Sequence, residues 1–249
     1  MNRYINSSLR AAHSYSNDII VNEYPKSGGT WLSQLIGEIV DIPFPRNKYP
    51  PLERCILHGH YKSNFMRKNI VTLWRDGRDI SVSFYYHCLI PNGIGNQALI
   101  NHVSRYLNFK DPGDIQNNLP DFLELMFSNK SRHVFSWPKY VDYWLSKNNV
   151  IFTHYEKLLD SPEEELRKIL HLLGYSNIAR STLLHAIDKY SFSKQSGRNP
   201  GNENPSSFLR KGVAGDWVNY FSSESSEIFN HYAGKQLILL GYENDSSWV

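Results

Sequence analysis

The 249-residue chain carries 41% hydrophobic and 20% charged residues, globular values that exclude a disordered polymer. A formal net charge of +3 excludes a nucleic-acid coat built on general basicity, and no apolar run reaches the roughly 18 residues of a membrane span. Two cysteines, Cys55 and Cys88, make neither a disulfide framework nor a zinc site. The first fifteen residues lack the apolar core of a signal peptide, so a cytoplasmic protein is expected.

In chain order, residues 18–24 read as a short buried strand and 30–40 as a helix with apolar residues at helical spacing. Strands are predicted at 55–59 and 70–75, then a helix at 77–88. Residues 90–118, with Pro91, Gly93, Gly95, Pro112 and Gly113, read as a loop near a site mouth. Helices follow at 119–128 and 138–147, and a strand at 150–155. The helix predicted at 162–173 has Ser161 as its cap, Pro162 in its first turn, an acidic start at Glu163, Glu164 and Glu165, and Gly174 beyond its end. Helices at 179–189 and 224–239 flank a second long loop, 194–215. Strands alternating with helices predict an α/β fold with a mostly parallel central sheet flanked by helices. The length fits a single domain over 1–249, with 1–16 flexible and the two long loops covering the active site.

Three basic clusters carry the chemistry. The first is the loop Tyr24-Pro25-Lys26-Ser27-Gly28-Gly29-Thr30-Trp31-Leu32, set between a strand and a helix. Such a loop aims backbone N–H groups and the positive end of a helix dipole at an anion. In a Walker A loop the lysine follows the last glycine. Here Lys26 precedes the glycines, so a nucleoside-triphosphate loop fits poorly. The second cluster, Arg75 to Ser83, follows the 70–75 strand, where parallel sheets place their ligands. A guanidinium fork and a hydroxyl two helical turns on suit a phosphate. The bland alternative is a set of solvated ion pairs, Arg75 with Asp79 or Arg78 with Asp76. The third, Arg210-Lys211-Gly212, lies in the long loop and gains weight only beside the other two.

These blocks resemble the cytosolic-type sulfotransferases, which transfer the sulfuryl group of 3′-phosphoadenosine-5′-phosphosulfate (PAPS). Residues 24–32 resemble the family's YPKSGTTWL, residues 75–87 its RNxKDxxVSYYHF, and residues 208–221 its FxRKGxxGDWKNxF. Tyr155-Glu156 with residues 166–170 resembles its YE…IxKIxxFLG segment, and Trp137, Tyr143 and Trp144 its W…WW stretch. The resemblance covers roughly 18–245.

It implies roles residue by residue. Lys26, Ser27, Gly28, Gly29 and Thr30 would cradle the 5′-phosphosulfate, and Trp31 would pack on adenine. Arg75 and Ser83 would hold the 3′-phosphate. Leu209, Arg210, Lys211 and Gly212 would close over it, while Tyr155 and Phe192 would contact the adenine. The family's KTHLP-type segment corresponds to residues 57–62, so His60 aligns with the general base and His58 with the upstream lysine. Both histidines would face one side of a strand, and the choice between them stays open. His58 in place of lysine implies a lower or more pH-dependent turnover, and Gly29 in place of threonine removes one hydroxyl from the cradle. The family's dimerising KxxxTVxxxE pattern would fall on 218–227, where only Glu227 matches, leaving the oligomeric state open.

The implied reaction is sulfuryl transfer to a hydroxyl or amine of a small-molecule or sugar acceptor, without metal and without nucleic acid. Phe84, Tyr85, Tyr86 and the 90–118 segment are expected to line the acceptor pocket. Two rivals are a P-loop nucleotide or small-molecule kinase and a non-catalytic nucleotide-binding module. The first wants its lysine after the glycines and a metal-holding carboxylate; the second has no use for both Lys26 and His60.

Overall fold

Strand β1 (Ile19–Glu23) is buried on both faces, as an interior parallel strand must be. A computed structural model describes residues 18–46, 48, 53–61, 69–128 and 136–249; the expectation for 1–16 lies outside them. Beyond the glycine loop, helix α1 (Gly29–Val40) buries Leu32, Leu35, Ile36 and Ile39, a stripe at i, i+3, i+4 and i+7. Each such side chain contributes roughly 1.5–3 kcal/mol on burial.

The sheet adds β2 (Ile56–Gly59), β3 (Ile70–Trp74) and β4 (Val150–His154). Its order is β2-β1-β3-β4, and every pair is parallel. Residue Asn22 lies beside Gly59 on one flank and Thr72 on the other. All four predicted strands are present within a residue at each end.

Packing groups the chain into two compact units: Met1–Arg75 with Trp144–Arg198, and Asp76–Tyr143 with Asn199–Val249. The first holds the sheet, α1, α6 (Tyr155–Asp160), α7 (Pro162–Leu172), α8 (Arg180–Lys189) and α9 (Phe192–Ser196). Its core joins α1 to Ile19, Val21, Val71 and Leu73 of the sheet and to Leu166, Ile169 and Leu183. Pro162 and three glutamates do open α7, but Ser161 does not cap it: its hydroxyl donates to Asp160 at 2.8 Å.

The second unit holds α2 (Gly77–Leu89), α3 (Gln97–Val103), α4 (Ile115–Phe127), a 3₁₀ turn (Asp216–Asn219) and α10 (Ser223–Leu239). Helix α5 (Trp137–Leu145) belongs to this unit through Tyr143 and to the first from Trp144. Within this unit Asp76 caps α2 by accepting the Arg78 N–H at 2.8 Å. The Arg78 guanidinium bonds Asp76 and Glu243 and lies 3.8 Å over Trp217 and 4.6 Å over Trp248.

Segment 90–118 departs from its reading as a loop. Helix α3 occupies its middle, because the Asn96 amide donates to the carbonyls of His87 and Ile90 and ties down the helix start. Helix α4 begins at Ile115 and carries Pro120 inside it, not at its first turn. In 194–215, α9 takes the opening residues, and 197–215 has no helix or strand.

Candidate functional site

Each strand of the first unit delivers polar or aromatic residues at its carboxyl end: Glu23 and the glycine loop from β1, His58 and His60 from β2, Arg75 from β3, Tyr155 from β4. That edge is where parallel sheets hold ligands. β1 and β3 are neighbours whose onward connections lead to opposite flanks, a topological switch point.

The loop is built tightly. Lys26 sits in the left-handed region at φ 76°, a conformation that needs support from its surroundings. Arg75 provides it: its Nη1 donates to the Lys26 carbonyl at 3.0 Å, and its guanidinium lies 4.4 Å over the Tyr155 ring. Trp31 meets the same ring edge-on at 5.8 Å. Gly28 has φ 102°, and a Cβ there would meet Tyr155 Cδ2 at 2.8 Å, so no larger residue fits. Among the described residues the buried Ser27 Oγ and Trp31 Nε1 have no hydrogen-bond partner. Two orphaned donors beside a loop that only glycine can build fit an anionic ligand carrying an aromatic base. Thr30 is half-buried in the first turn of α1.

The histidines meet a residue that sequence reasoning passed over. Glu23, buried at 4% exposure, ends β1. Its carboxylate bonds His58 Nε2 at 2.9 Å and also accepts the Gly29 N–H. Its main-chain carbonyl accepts from His60 Nδ1 at 3.1 Å. Burial alone would raise the Glu23 pKa, but the His58 hydrogen bond, the fields of both histidines and the Gly29 N–H hold it below the ordinary value. His60 is lowered mainly by desolvation, which outweighs the Glu23 charge; Lys26 adds to the depression. Its residue surface is exposed, yet protein crowds the ring. His60 is therefore neutral near neutral pH. Ligand atoms of Glu23, His58 and His60 lie within 4.8 Å of one another, a spacing that a cation can bridge. Both Glu23 oxygens are already engaged by His58 and Gly29, and the Lys26 charge acts on His60, so hydrogen bonding accounts for the cluster. The available signal was an acidic residue closing an otherwise buried strand.

The second arginine block divides into two roles. Arg78 is structural, with a buried ion pair to Asp76 in place of the solvated pair considered from sequence. Asp79 accepts the N–H groups of Gly215 at 2.7 Å and Trp217 at 2.9 Å, which fixes the end of the long loop. Ser83 is half-buried on α2. In that loop Arg210 bonds Asp216 at 2.8 Å, Tyr220 at 3.0 Å and Glu203, while Lys211 bonds Asp216 at 2.6 Å. Leu209 and Gly212 are half-buried beside them. Phe192 opens α9 with Arg198 5.2 Å over its ring. Phe84 and Tyr85 are buried core, and Tyr85 donates to the Pro112 carbonyl, so of the three expected acceptor-pocket aromatics only Tyr86 is half-buried.

Comparison with known proteins gives one answer. The family model described as "Sulfotransferase domain" matches residues 53–241. Sulfotransferase 1E1 of Cavia porcellus is 24% identical over 278 residues, covering 92% of this chain and 86% of that protein. Mouse sulfotransferase SULT7A1 complexed with PAP shares the fold at TM-score 0.64 and 21% identity, covering 92% of this chain and 89% of that one. Retinol dehydratase in complex with androsterone and the inactive cofactor PAP matches at TM-score 0.58 and 19% identity, over 90% and 83% of the two chains.

Proposed function

Because the chain belongs to the sulfotransferase-domain family, we propose that it carries the sulfuryl group of PAPS to a hydroxyl or amine of a small-molecule or sugar acceptor. The observation that carries this reading is the meeting of a neutral His60, the Lys26 loop and Arg75 at one sheet edge. PAPS, when bound, supplies the activated sulfuryl group.

The residues do the rest. His60 accepts the acceptor's proton as the new S–O bond forms. Lys26 stabilises the charge that grows on the bridging oxygen as the old S–O bond breaks and adenosine 3′,5′-bisphosphate is released. A preorganised charge of that kind typically contributes ~3–4 kcal/mol to the transition state. Ser27, Gly28, Gly29, Thr30 and Trp31 bind the 5′ end, and Tyr155 and Phe192 the adenine. Arg75, Ser83, Leu209, Arg210, Lys211 and Gly212 serve the 3′-phosphate. Glu203 and Asp216 hold Arg210 and Lys211 in ion pairs, so that phosphate must compete with carboxylates. The chemistry needs no metal, since a sulfuryl group carries less charge than a terminal phosphate.

The site of action is the cytoplasm, a reading in keeping with two buried cysteines, neither of them in a disulfide. Among the described residues no helix is long and apolar enough to cross a membrane. Androsterone in the retinol dehydratase complex makes apolar alcohols the first acceptors to screen. The test is transfer of radiolabelled sulfate from PAPS across an acceptor panel, with calorimetry of adenosine 3′,5′-bisphosphate against ATP–Mg²⁺. Saturable bisphosphate binding and labelled product are expected. Tight ATP–Mg²⁺ binding without label transfer would instead make the protein a kinase.

A further inference from the structure

We propose that Glu23 is the positioning residue of the histidine pair, holding the two imidazoles in opposite tautomers and so assigning the base to His60. The catalytic part of this rests on the sulfuryl-transfer reading; the tautomers do not.

Hydrogen-bond chemistry fixes where each imidazole carries its proton. A main-chain carbonyl only accepts, so the 3.1 Å contact between His60 Nδ1 and the Glu23 oxygen requires a proton on Nδ1. In the neutral ring the lone pair is then on Nε2. A carboxylate held ionised also only accepts, so the 2.9 Å contact requires His58 to carry its proton on Nε2. One residue thus directs the two rings oppositely, through its backbone for one and its side chain for the other. His58 spends its Nε2 on Glu23, whereas His60 keeps Nε2 as an acceptor, the form a general base needs.

Gly29 completes the device. A Cβ at this position would meet Glu23 Cδ at 2.7 Å and His58 Nε2 at 2.8 Å. The space a side chain would fill is taken by the Glu23–His58 pair, and the Gly29 N–H is bound to the same carboxylate. Glu23, His58 and Gly29 are therefore one coupled unit, in which any member constrains the other two.

The test is long-range ¹H–¹⁵N correlation of the imidazoles in the full chain labelled at histidine, for the wild type and Glu23→Gln. The wild type should show His58 protonated on Nε2 and His60 on Nδ1. In Glu23→Gln the His60 signals should persist, because the carbonyl remains. His58 should become a mixture, because an amide both donates and accepts. With an acceptor in hand, kcat at neutral pH should change little, because the carbonyl that orients His60 remains, while the acid limb of its profile should move to lower pH once the Glu23 charge is gone. If Glu23→Gln does not fold, Gly29→Ala displaces the same pair and should mix the His58 tautomers too. A wild-type His60 protonated on Nε2, or a His58 tautomer unmoved by either variant, overturns the proposal. A wild type that transfers no sulfuryl group removes the catalytic reading alone, and the imidazole signals still decide the tautomers.

Discussion

At the residue scale the proposed transfer depends on Lys26 and His60. Lys26→Ala should lower kcat by roughly 10²–10³-fold, the cost of removing one preorganised charge, with an unchanged circular dichroism spectrum and thermal midpoint. A variant retaining wild-type turnover would remove the lysine from the transition state. For His60, desolvation holds the ring neutral to lower pH than a free histidine. The acid limb of the kcat profile should then lie below the ordinary value of 6.5, and His60→Ala should abolish it. If His58→Ala alone does so, the two roles are exchanged. The loop itself was legible because its geometry constrains residue type: a glycine at φ 102°, with a lysine two residues before it, leaves a pattern in the chain. Glu23 was not, because a strand's register decides what its last side chain meets, and register is a tertiary property.

At the scale of elements, the strands were legible through apolar runs with defined ends, and α1 through its four-residue stripe. Helix α3 was not, since its start is anchored by the Asn96 side chain bonding two carbonyls at the C-terminal end of α2. Asparagine and glycine in a sequence argue for a loop, and only the fold shows where an asparagine side chain anchors a helix start to a neighbouring helix end. The β1–α1 turn carries its own prediction. Gly28→Ala places a Cβ against Tyr155 in a left-handed conformation, which should cost about 2 kcal/mol or more. Urea unfolding reads that loss, and calorimetry should show weaker adenosine 3′,5′-bisphosphate binding. An alanine variant equal to the wild type in both would mean the loop relaxes freely.

For the whole molecule the concern is acid. His154, the last residue of β4, has its pKa pushed down to about 4, chiefly by burial, with Lys157 adding to it. The folded state keeps this ring neutral while the unfolded chain takes up a proton near the ordinary 6.5. Its contribution to stability is therefore complete above 6.5 and is lost as pH falls towards 4. His154→Gln should flatten the stability profile in that window, as followed by urea midpoints at successive pH values. A profile that keeps its slope would assign the acid sensitivity to other groups.

The brace between Arg75 and the Lys26 carbonyl ties the turn after β1 to the end of β3. A receptor stitched in this way has its curvature before any guest arrives. This turn then has little chain entropy to surrender on binding, and any slow phase of association should report exchange of the Arg210 and Lys211 ion pairs and not movement of the turn.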